Sequence, residues 1–129
     1  MIKVQAMFPM MVTPHLQIIK DYYHTLFGFT AVFYQEDFYL HLVQPSSGVQ
    51  LGFLHPNHPS QPDFLHPKME QDGYVISLEV DDARAAYTYA QAQELDIAMH
   101  YKEEQWGQRH FILQDPAGFK IDVVEHFQV

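Results

Sequence analysis

An α+β fold made of two similar β-α-β-β-β halves is expected from three features of this 129-residue chain. The stretch Tyr22 to Phe29 (YYHTLFGF) closes a short amphipathic helix. Trp106 to Phe127 (WGQRHFILQDPAGFKIDVVEHF) reads as a strand, a tight turn at Asp115-Pro116-Ala117-Gly118, and a strand that carries the carboxylate Glu125. A proline-rich stretch in the middle separates two segments with the same order of elements. A duplicated unit of this kind can curl around a central cavity.

Met1 to Val12 reads as the opening strand, with Pro9 placing it at an edge or a bulge because proline donates no ladder hydrogen bond. Thr13 can cap the next segment, and Pro14 suits a first helical turn, where its missing N–H costs nothing. Leu16, Ile19, Tyr23 and Leu26 then recur at helical spacing, and Gly28 supplies the stop. Three short β-prone runs come next, at Phe29 to Tyr34, Phe38 to Val43 and Val49 to Leu54. His55 to Asp72, with Pro56, Pro59, Pro62 and Pro67, reads as a linker, either a lid or a wrap-around connection.

The second half opens with a strand at Tyr74 to Val80. Asp81-Asp82 can cap a helix in which Ala83, Ala86, Tyr87 and Ala90 share a face. Strands are expected at Ile97 to Tyr101, Arg109 to Gln114 and Phe119 to Phe127. The modules, 1–54 and 73–129 around linker 55–72, are each about 65 residues or fewer. Each therefore needs the other's apolar face, and one domain over 1–129 is expected.

An apolar share of 47% excludes general disorder. Of ten Phe, eight Tyr and one Trp some simply fill the core, and a small domain with this many rings can also line a pocket. Seven Lys and Arg against 16 Asp and Glu give a net charge of -9, which argues against nucleic acid or an anionic membrane as partner. That charge suits a cationic small molecule and also serves solubility. The absence of Cys excludes disulfides and thiolate chemistry. No run reaches the roughly 18 apolar residues of a spanning helix, so a soluble cytoplasmic protein is expected.

Three motifs, in this order, resemble the vicinal oxygen chelate superfamily of glyoxalase I, extradiol dioxygenases and bleomycin-resistance proteins. They are Tyr22-Tyr23-His24-Thr25-Leu26-Phe27-Gly28-Phe29, Val80-Asp81-Asp82 before a helix, and the closing Asp115-Pro116-x-Gly118 with Glu125 beyond it. The resemblance implies two βαβββ modules forming an open, barrel-like sheet around the active site. It also implies metal ligands, in metal-dependent members, on the first and fourth strands of each module. Glu125 matches one such ligand. Val75 stands where a His is usual, Ala6-Met7-Phe8 where another is, and Gln50 or a neighbour replaces a Glu. One carboxylate and an amide make a poor site for ions that want three or four N/O ligands. The resemblance therefore points to the metal-free, ligand-binding branch, with no cofactor and a homodimer as the assembly.

Glu125 lies in an apolar strand with Ile121, Val123 and Phe127, where a carboxylate must be paired, hydrated or used. Three roles stay open: a sheet-end carboxylate hydrated or paired with Arg109, a ligand contact or catalytic base, and a metal ligand. His41, flanked by Leu40 and Leu42, and His110, beside Phe111, each face away from those neighbours and can point into a cavity. His24, His55, His58 and His66 read as surface residues. Trp106 sits at the mouth of the last hairpin, where a ring can stack on a planar or cationic guest. Tyr34, Phe38, Phe53 and Tyr101 are further candidates for the same wall. The function expected is metal-independent binding of a small organic molecule in an aromatic cavity, with Glu125 neutralising a cationic group. The alternatives are a metal-dependent lyase, isomerase or dioxygenase using a rearranged His41, His110 and Glu125 site, and a protein-interaction domain.

Overall fold

Helical and strand periodicities account for most of what folds where. The computed structural model describes residues 1–129, which divide into two units, Met1–Glu70 and Gln71–Val129. In the first unit the order is β1 (Met10–Val12), α1 (Leu16–Phe27), β2 (Thr30–Gln35), β3 (Tyr39–Val43) and β4 (Gln50–Leu54). Leu16, Ile19 and Tyr23 form the buried stripe of α1. Thr13 does not cap that helix directly. Its hydroxyl accepts from the N–H of His15, the N-cap, at 3.3 Å. At the other end Gly28, at φ 71°, adopts the left-handed conformation that stops a helix.

The strands form one sheet in the order β1-β4-β3-β2, with β1 parallel to β4 and the other pairs antiparallel. Leu40, Leu42, Leu51 and Phe53 project from it and are buried with Leu16, Ile19 and Tyr23 of α1. The opening strand is shorter than expected. Residues 1–9 form no strand, and the Pro9 carbonyl accepts from Gly52 N–H at 2.9 Å just before β1 begins. Proline has no N–H to extend the ladder backwards, so pairing starts after it. The loop beyond β4 contains one 3₁₀ turn, Asp63–Leu65, and is tied to β1 by Met69 N–H donating to the Val12 carbonyl at 2.9 Å.

The second unit repeats the plan with β5 (Ile76–Glu79), α2 (Ala83–Ala92), β6 (Ile97–Glu104), β7 (Gln108–Gln114) and β8 (Lys120–His126). Its sheet order, β5-β8-β7-β6, is that of the first. Asp82 caps α2 by accepting from Ala85 N–H at 3.0 Å, and Ala83, Tyr87 and Ala90 are its buried face. The turn before β8 is closed by the buried Asp115, whose carboxylate accepts from Ala117 and Phe119 N–H, both at 2.9 Å. Gly118 occupies φ 92° there. Phe111, Leu113, Ile121 and Val123 complete the core. Neither helix is long and apolar enough to cross a membrane.

The duplication is present, but the barrel-like sheet is not. Each unit holds its own four-stranded sheet, neither closed nor curled into a barrel. Closure needs a hydrogen-bond ladder that returns to its first strand. Here β1 is laddered only with β4, β2 only with β3, β5 only with β8 and β6 only with β7, so neither sheet closes, and β1 has on its outer side only the bond from Met69. Replacing Phe53, fully buried with its ring 5.6 Å from that of Tyr23, by Ala is expected to cost about 3–5 kcal/mol of stability, read as a lower urea midpoint.

Candidate functional site

Side chains alternate along a strand, and each sheet has one helix, so one face of each sheet is turned away from helix cover. In the first unit that face carries Phe33 of β2, Tyr39 and His41 of β3, and Gln50 and Gly52 of β4. Phe33 pairs with His41, and His41 with Gly52, in adjacent registers. Phe8, from the segment before β1, stands edge-on to His41 at 4.6 Å and 88°. Phe33 touches Tyr39 and Phe38 with ring centroids 6.2 and 6.1 Å away, and Phe38 meets His58 at 4.3 Å. These rings form an aromatic floor in which Phe8 is 42% and Phe33 46% exposed.

A short polar row crosses the floor. Tyr39 Oη lies 2.7 Å from His41 Nδ1, and His41 Nε2 lies 2.7 Å from Gln50 Oε1. With the Gln50 oxygen accepting from Nε2–H, Nδ1 accepts the Tyr39 hydroxyl proton. Burial raises the Tyr39 phenol above its ordinary value, which keeps that proton in place. Gly52 lets the row lie flat, because a Cβ there would collide with the Tyr39 hydroxyl.

In the second unit the corresponding face is charged. His110 Nδ1 lies 2.8 Å from Asp122 Oδ1 and Nε2 2.9 Å from Glu104 Oε2. Lys102 approaches Glu104 at 3.3 Å. His126 pairs with Glu79 and contacts Gln108 at 3.0 Å. Trp106, 66% exposed in the turn after β6, donates its Nε1–H to Gln108 Oε1 at 2.9 Å.

The other expected residues lie elsewhere. Glu125 and Arg109 face each other across β8 and β7, with Arg109 Nη1 donating at 2.7 Å. The second Glu125 oxygen accepts from Ala83 N–H at 3.1 Å, at the start of α2, where a carboxylate complements the helix dipole. Arg109 also reaches Glu103 at 3.3 Å and lies 4.1 Å from the Phe127 ring, and Glu125 above all raises its pKa. Tyr101 lies between Arg84, 4.3 Å from its ring, and Tyr87 at 5.7 Å, on the α2 side. Tyr34 faces α1, bonded to Gln17 at 3.4 Å with Lys20 over its ring. Phe53 is core. His41 thus stands on the floor, while Tyr34 and Phe53 of the same unit stand behind it.

The rearranged metal site does not form. His110 pairs with Val124 and Arg109 with Glu125, which puts His110 and Glu125 on opposite faces of the sheet. Both His110 nitrogens are taken by carboxylates, Val75 offers no donor, and no three His, Asp or Glu side chains are arranged to hold an ion. The donor set does not fit the metal of the family's metal-dependent members.

A family model described as Glyoxalase/Bleomycin resistance protein/Dioxygenase superfamily matches residues 6–123. The chain belongs to that superfamily. Solved structures agree on the fold. A lactoylglutathione lyase from Agrobacterium tumefaciens superposes with TM-score 0.75 at 19% identity, covering 95% of this chain and 94% of that one. TioX from Micromonospora sp. ML1 gives 0.75 at 16% identity, with 96% and 100% covered. A bleomycin-binding protein complexed with bleomycin gives 0.66 at 18% identity, with 95% and 99% covered. No curated protein sequence matches significantly.

The motifs missed Phe33, Tyr39, Glu104 and Asp122. Tyr39 shares the parity of His41 and Asp122 sits between two apolar core residues of β8, so strand alternation alone could have found both. Phe33 and Glu104 needed the hairpin registers. Glu125→Ala removes the partner of a half-buried guanidinium and an acceptor for the first N–H of α2. Chemical denaturation should show a lower urea midpoint for this variant.

Proposed function

We propose that this superfamily member binds a small, planar organic cation without a metal ion, and that the aromatic floor of the first unit is its seat. The observation that carries this reading is the half-exposed ring cluster of Phe8, Phe33 and Tyr39 beside the Tyr39–His41–Gln50 row. Exposed rings on a flat strand face offer area for stacking and an attractive surface for a cation, about 0.5–2 kcal/mol per contact. The polar row gives such a ligand an edge to hydrogen-bond. The net charge of -9 favours a cation throughout its approach. In this reading Trp106 is a second stacking surface in the other unit, and Glu125, Phe53, Tyr34 and Tyr101 are framework.

The bleomycin-binding protein of similar fold supports a sequestering role, in which a ligand is held and not turned over. Nothing in the donor set favours the metal-dependent enzyme. Calorimetric titration with bleomycin, ethidium and berberine tests the proposal. At least one should bind at a single site per chain. Phe33→Ala, at an exposed position where folding should survive, should weaken that binding by about tenfold, equal to ~1.4 kcal/mol. Affinity for none of the three, or an affinity indifferent to Phe33 and Tyr39 substitution, would overturn the assignment to this floor.

A further inference from the structure

The Glu104–His110–Asp122 row is not used by the binding proposal, and its geometry has a requirement of its own. His110 is 7% exposed, yet a carboxylate oxygen stands at each ring nitrogen, at 2.8 and 2.9 Å. An ionised carboxylate only accepts, so both ring nitrogens must donate, and only the imidazolium has two N–H groups. A neutral ring would turn a lone pair toward one carboxylate at hydrogen-bonding distance.

The two carboxylates are not equally free to leave. Asp122 is in β8, flanked by β5 and β7 through Ser77 and Ile112. Glu104 is the last residue of β6, an edge strand that pairs only with β7. The Glu104 backbone also closes the next turn, its carbonyl accepting from Gly107 N–H at 3.1 Å. That turn, Glu104-Gln105-Trp106-Gly107, holds the single tryptophan of the chain.

We infer that Glu104, His110 and Asp122 form a proton-operated latch on the turn that carries Trp106. With His110 protonated, Glu104 is held down and the turn is fixed. When the proton leaves, Asp122 keeps the remaining N–H, Glu104 falls back on Lys102, and the turn loosens. The groups facing the row are Lys102 on β6, Gln108 on β7, Asp122 and His126 on β8, and Glu79 on β5, which engages His126. Glu103, Arg109 and Glu125 belong to the opposite face.

The signs of the shifts set the pH window. Burial lowers the His110 pKa, but the two carboxylates more than offset it, and the result is raised above the ordinary value of about 6.5. The latch is therefore shut below that ordinary value and opens as pH rises through the raised one. The Glu104 pKa is lowered, first by its bond to His110, so the latch also fails in acid, as pH falls through that lowered value.

The test is the emission of Trp106 in the intact chain, followed from about pH 5 to about pH 10, with ring-nitrogen NMR of His110 in the same samples. We expect the emission maximum to shift in one step above the ordinary histidine value. Its midpoint should match loss of one His110 ring proton and a shift of the Gly107 amide. The step should vanish in His110→Gln and persist in His126→Gln, because His126 reaches Trp106 through Gln108 and is the competing source. A step that survives His110→Gln, one that disappears only in His126→Gln, or a His110 ring already neutral at about pH 6 would overturn the latch. If His110→Gln fails to fold by circular dichroism, the wild-type NMR decides: a His110 proton lost without movement of the Gly107 amide also overturns it.

Discussion

Each sheet in this chain has a single helix to cover it. A four-stranded sheet has two faces, and a helix of 10 or 12 residues covers one of them. The alternation of side chains along a strand then assigns each residue to one face or the other. On the covered side stand Leu40, Leu42, Phe53, Phe111, Ile121 and Val123. On the other stand Tyr39 and His41 in one unit and His110 and Asp122 in the other, with the buried Leu54 and Val124 beside them. The placing of Glu125 has the same origin. It shares parity with Ile121 and Val123, so it is turned toward α2, where Arg109 and the first N–H of the helix neutralise it.

The two units keep the same strand order while their uncovered faces have diverged. In the first, Gly52 beneath Tyr39 keeps the face flat and His41 lies between the Tyr39 hydroxyl and the Gln50 amide. In the second, His110 lies between the carboxylates of Asp122 and Glu104, which favour its protonated form. One scaffold thus carries an aromatic surface and an ionic one. Family membership constrains the scaffold and leaves such choices open.

Much of this was legible in the sequence, for identifiable reasons. The helix ends were written in Gly28 and Asp82, and the turn before β8 in Asp115-Pro116-Ala117-Gly118, because those residues act locally. The halves declared themselves through order. What failed depended on register. A lone carboxylate in an apolar strand drew attention to Glu125, yet its partner Arg109 is a neighbour only because β7 and β8 align as they do. Asp122, in the same strand, was passed over although its parity puts it on the uncovered face. The opening strand is shorter than the apolar pattern of residues 1–8 suggests, because pairing starts only after Pro9. The expected barrel followed from the duplication and the resemblance together, and the free edges at β2 and β6 contradict it.

Those free edges differ. Strand β6 ends in Lys102, Glu103 and Glu104, while β2 reads Thr30-Ala31-Val32-Phe33-Tyr34-Gln35 without a charge. An unpaired, uncharged edge of β-branched and aromatic residues is a template on which another extended chain can add, whereas charges on an edge repel such addition. The two units are thus unequally guarded against self-association. In a crowded solution the first sheet is where chains would begin to stack, and a single lysine at Val32 would give it the protection that the second sheet already has.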